Sequence, residues 1–109
     1  MELAFDKKSV RQLCESEARA ARDFGEKAAR KLKARLADFR AVENVSGLVV
    51  GKPCELDGVN DGKFVVHLCD GFRIIFCANH NSNPLQKSGR LAWSKVTRIK
   101  ILEVNHDKD

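Results

Sequence analysis

The sequence predicts an α+β fold, with two N-terminal helices packed on one face of a small antiparallel sheet in the order β-α-α-β-β-β. Three observations carry that reading. From Val10 to Phe39 the apolar residues recur at helical spacing. Asp70-Gly71 joins two β-rich runs between Gly62 and Phe76, and a tight hairpin turn needs the positive φ that Gly supplies cheaply. Arg98, Ile99, Lys100 and Ile101 alternate charged and apolar, the period of a strand covered on one face and wet on the other.

In chain order, Leu3-Ala4-Phe5 is a short apolar run ended by Asp6, which is placed to cap a helix beginning at Lys7. Val10, Leu13, Cys14, Ala18 and Ala21 form one stripe of that helix, interrupted only by Glu17, and Phe24-Gly25 closes it. A second helix runs from about Glu26 to Arg40, with Ala28, Ala29, Leu32, Leu36 and Phe39 on one side and Lys27, Arg30, Lys31, Lys33, Arg35 and Arg40 over much of the rest. Both stripes are modest, so each helix needs a sheet to pack against. Gly51, Pro53, Gly58 and Gly62 punctuate an exposed loop, and the hairpin follows. Asn79 to Ser88 is a polar loop containing Pro84; Leu91-Ala92-Trp93 re-enters the body, and Val96 to Val104 forms the last strand.

At 109 residues the chain is long enough for one core, so residues 1–109 read as a single domain. Its 20 Lys and Arg exceed its 15 Asp and Glu, and the excess gathers between Lys7 and Arg40, where eleven basic residues meet five acidic ones. That region is either a solvated helix face or a surface for a polyanion. Met1 to Asp6 is too short and acidic for a secretory leader, and no apolar run is long enough to span a membrane, so a reduced cytoplasm is expected. The one metal-like arrangement is His67-x-Cys69 with Cys77-x-x-His80. A two-residue turn would set Cys69 opposite Phe72 and Cys77 opposite Phe64, which parts the two pairs onto opposite faces. No metal or cofactor is expected, and the thiols read as small apolar fillers. Arg73 lies between Phe72 and Ile74, and a permanent charge in so apolar a strand either reaches a sheet edge in an ion pair or faces an anion such as phosphate.

Three stretches taken together resemble the RelE/ParE toxin superfamily of bacterial type II toxin-antitoxin systems, within it the HigB-like branch. They are the basic run Glu26 to Leu36, the hairpin end Gly71-Phe72-Arg73-Ile74-Ile75-Phe76, and Trp93 to Val104. The resemblance covers nearly the whole chain. It implies a toxin that cleaves ribosome-bound messenger RNA by 2′-hydroxyl attack without a metal, held inactive by a cognate helix-turn-helix antitoxin. It also implies that Arg73 binds the phosphate as a catalytic residue. Relatives tend to end in Asp-Tyr-His, which aligns with His106, Asp107 and Lys108 and makes His106 and Lys108 the remaining catalytic candidates. Lys52, Lys63, Arg98 and Lys100 are the candidate nucleic-acid contacts. The usual loop His-Pro-Leu-Lys-Gly-Asp is here Cys54 to Val59, so Asp57 stands where a lysine is usual and would repel phosphate. Two other functions therefore accompany the leading one. One is a catalytically weakened protein of the same fold that binds antitoxin or ribosome without cutting RNA, and the other is a ParE-like gyrase inhibitor.

Overall fold

The structure, a computed structural model, describes residues 1–56 and 62–108. Strand β1 (Glu2–Phe5) leads into helices α1 (Lys8–Glu15), α2 (Glu17–Phe24) and α3 (Glu26–Ala41), and strands β2 (Cys54–Glu55), β3 (Lys63–His67), β4 (Phe72–Ala78) and β5 (Arg98–His106) follow. The strands form one sheet in the order β1-β5-β4-β3-β2. The α+β class is as the sequence predicts, with three differences in detail. Cys54–Glu55 forms a short edge strand against β3 where the sequence predicts an exposed loop. β1 lies parallel to β5, Glu2 beside Arg98 and Phe5 beside Ile101, so the sheet is mixed rather than antiparallel throughout. Helix α1 is also separate from α2.

The break at Ser16 has a physical cause. Ser16 is extended (φ −120°, ψ 106°), and its hydroxyl accepts a hydrogen bond from the Arg19 backbone N–H, the bond that starts a new helix. In an unbroken helix Glu17 would fall on the apolar stripe with Val10 and Leu13. The break re-phases the chain, so Ala20 turns inward at 1% exposure and Glu17 turns out toward Lys33, 3.9 Å away. Asp6 does not cap α1; that place is taken by Lys7 without a side-chain bond, and the Asp6 carboxylate lies 3.8 Å from Lys100 Nζ. Gly25 joins α2 to α3 at φ 91°, ψ 160°, a region essentially closed to residues with a Cβ.

Helix α3 lays Ala28, Ala29, Leu32, Leu36 and Phe39 toward the sheet, all buried. The sheet answers with Phe64 and Val66 from β3, Ile74, Phe76 and Ala78 from β4, and Ile99, Ile101 and Val104 from β5. Phe76 is at the centre: its ring meets Phe39 edge-on at 5.4 Å and stacks on Phe64 at 5.3 Å, and Trp93 closes that end of the core. Cys14 is a partly buried filler beneath α1, and burial pushes its thiol up to about 11 against the pull of Arg40. The helix side of the sheet is thus committed to packing, and the opposite side of β3, β4 and β5 carries polar side chains around the buried cross-strand pair Val65 and Ile75.

Candidate functional site

Two bulges decide which side chains share the open face with Arg73. The hairpin turn has Asp70 at φ 51° and Gly71 at φ 86°, the pair of positive values that a tight turn of this hand requires. The Phe72 N–H donates to Cys69 O, yet Phe72 O accepts from Leu68 N–H, so Leu68 and Cys69 together stand opposite Phe72. This single extra residue moves the register: Arg73 pairs with His67 rather than Leu68, and Cys77 pairs with Lys63 rather than Phe64. A one-residue slip exchanges the two faces of a strand, so the slip brings an imidazole to the open face beside Arg73.

The second bulge lies between β4 and β5. Phe76 pairs with Ile101 and Ile75 with Glu103, leaving Leu102 as the inserted residue. Before it the inward residues are Ile99 and Ile101, and after it Val104. Strict alternation from Lys100 would have put His106 on the open face. Instead Asn105 pairs with Arg73 there, and His106 pairs with Phe72 on the helix side. The open-face row is therefore His67, Arg73, Asn105.

Arg73 sits on the middle strand of the sheet, not at an edge. Its Nε–H donates to Asn105 Oδ1 at 3.0 Å, and the Asn105 amide in turn donates to the Glu103 carboxylate. Either end of this chain fixes the amide's orientation, since the oxygen must face the donor and the NH₂ the acceptor. Among the described residues Arg73 makes no ion pair, so the two terminal nitrogens of its fork are open to an anion. A half-buried guanidinium held by a neutral amide is the candidate anion contact of this face.

Beside it, the loop before β2 docks against β3 through Gly51, whose carbonyl accepts the His67 backbone N–H at 2.7 Å. The contact depends on the missing side chain: at φ 91°, a Cβ on Gly51 would come within 2.6 Å of Val66 Cγ1 and 2.7 Å of His67 O. Lys52 follows directly and is exposed. With His67, Cys69, Asp70 and Asp107 it lines an open cleft of about 510 Å³ at the end of the sheet.

The other predicted contacts stand farther along the face. Lys63, Cys77 and Lys100 form a row across β3, β4 and β5. Cys77 lies four positions along β4 from Arg73, about 13 Å at strand rise. Burial pushes the Cys77 thiol up, with Lys100 and Lys63 pulling it down and Asp6 pushing it up. Lys100 also faces Asp6, and Arg98 pairs with Glu2 at 3.1 Å, so the β5 cations nearest β1 are shared with that strand's acids.

His106 and Lys108 are not brought to Arg73. The His106 ring lies under the hairpin turn, edge-on to Phe72 at 5.1 Å, with Nε2 2.8 Å from Asp70 O and Nδ1 3.2 Å from the Lys108 backbone N–H. With Nε2–H donating and Nδ1 accepting, both nitrogens are used to hold the chain end against the turn. The fit is tight, since a Cβ on Gly71 would meet Nε2 at 2.5 Å. Lys108 is exposed beyond β5. Asp57 lies outside the described residues.

Sequence reasoning passed over His67, Asn105 and Glu103 as neighbours of Arg73. One signal was present: Ile101 and Leu102 are adjacent apolar residues followed by Val104, a break in alternation that marks a change of phase. The hairpin bulge leaves no such trace.

No protein-family model and no curated protein sequence matches the chain. Among solved structures it is similar to the YoeB/ParE toxin from Agrobacterium tumefaciens, with a TM-score of 0.58 and 12% identity over 97% of this chain and 98% of that one. The likeness is one of fold, and it takes in the three helices and the five-stranded mixed sheet of this chain.

Proposed function

We propose that this chain is the toxin of a type II toxin-antitoxin pair, a single-domain HigB-like endoribonuclease that cuts messenger RNA on the ribosome in the cytoplasm. The observation that carries the reading is Arg73, a half-buried cation on the middle strand, held through its Nε–H by Asn105 and with no ion pair among the described residues. Attack of a ribose 2′-hydroxyl on the adjacent phosphorus builds negative charge on the phosphoryl oxygens. A fixed fork of two N–H donors stabilises that charge more than it stabilises the ground state. Lys52 at one end of the face, and Lys63 and Lys100 at the other, would hold the flanking backbone by phosphate contacts. The helix-turn-helix antitoxin would silence the toxin and stabilise its fold by mass action.

Binding without cleavage is the second reading, favoured by the engagement of both His106 nitrogens in the C-terminal turn. Expression alone tests the leading one: growth arrest with fragmented message is expected, and co-expression of the protein encoded next door should relieve it. Normal growth with folded protein accumulating would overturn the toxin assignment, and arrest with intact message would favour the second reading.

A further inference from the structure

We propose that His67 is the catalytic base of this face, a role for which the family resemblance offers His106 and Lys108 instead. The assignment rests on the ribonuclease reading above. His67 is the direct cross-strand partner of Arg73, and side chains so paired stand about 4.5–5.5 Å apart at Cβ. A phosphate on the Arg73 fork therefore has its 2′-hydroxyl neighbour within reach of the imidazole. The ring makes no hydrogen bond among the described residues, in contrast to His106, whose two nitrogens are both occupied. It also borders the open cleft beside Lys52, which gives it access to solvent.

The step balances on these groups. Neutral His67 takes the 2′ proton as the O2′–P bond forms, Arg73 bears the added charge on the phosphoryl oxygens, and the P–O5′ bond breaks. The departing 5′ oxygen takes a proton from water, and the imidazolium returns its own to solvent. The products are a 2′,3′-cyclic phosphate and a 5′-hydroxyl. Across the strand the ring stands beside Arg73 of β4, and Lys52 and Cys69 line the cleft it borders, whereas the Asp70 carboxylate turns to Lys27 and the Asp107 carboxylate to His106.

The test is single-turnover cleavage of ribosome-bound message by wild type, His67→Ala, His67→Gln and His106→Ala, measured from about pH 5 to 8, across the range in which an imidazole titrates. Both His67 variants are expected to lose about a hundredfold or more at neutral pH, the usual worth of a positioned base, with unchanged melting temperatures. Wild type should gain rate with pH along an imidazole titration that both His67 variants lack, and free imidazole should restore part of the His67→Ala rate. His106→Ala should melt at lower temperature and keep the wild-type pH profile. Wild type that cleaves, with His67 variants within a few-fold of it and titrating alike, overturns the assignment of His67 alone. Wild type that cuts no message overturns the ribonuclease reading and this assignment with it.

Discussion

Arg73→Ala is expected to lower cleavage of ribosome-bound message by about a hundredfold or more, comparable to removing one electrostatic stabiliser from other active sites. The fold should survive, because the substitution removes one hydrogen bond, to Asn105, worth about 1 kcal/mol. Arg73→Lys separates charge from geometry. Lysine keeps a cation on the face but loses both the Nε–H that Asn105 holds and the paired donors of the fork. Near-complete loss in Arg73→Lys would show that the fork matters, and substantial activity would show that charge suffices. Cleavage unchanged in Arg73→Ala would remove Arg73 from the site. Single-turnover rates with melting curves for each variant make the comparison.

Phe76→Ala should have the largest effect on stability. The side chain is fully buried and is shared between α3, through Phe39, and the β3 and Trp93 end of the core. Removing a ring from such a position costs about 3–5 kcal/mol, because the neighbours on a rigid sheet and a long helix collapse only partly into the space. A domain of this size has about 5–15 kcal/mol in all, so urea unfolding should show a large drop in midpoint or a chain already unfolded in buffer. A loss below about 1 kcal/mol would mean that the core is not organised around this ring. The remaining folded fraction should keep wild-type cleavage per molecule, since Phe76 packs into the helix-side core.

The fold class was legible because it depends on periodicity, which composition cannot hide. A stripe at helical spacing from Ala28 to Phe39 and an alternating run at Arg98 to Ile101 need different partners, and a sheet covered by helices serves both. The split at Ser16 was half visible in the charge of Glu17 on an apolar stripe. The parallel placement of β1 was not, because four residues carry no information about which strand they join. At the site, Arg73 could be found from its type and surroundings, but its company could not. Which residues join it depends on two single-residue insertions, at Leu68–Cys69 and at Leu102, and each exchanges one face of a strand for the other. Strict alternation therefore selects His106, while the register selects His67 and Asn105.

The most direct test of the open face as an RNA-cutting surface is the chemistry of the ends it leaves. Ribosome-bound message treated with wild-type protein should yield a 2′,3′-cyclic phosphate on the upstream fragment and a 5′-hydroxyl on the downstream one. The same message carrying a 2′-deoxy nucleotide at the cut position should stay whole, because the attacking group is gone. Cleavage that persists through the 2′-deoxy nucleotide would contradict the account, as would intact message in arrested cells whose gyrase is trapped on broken DNA.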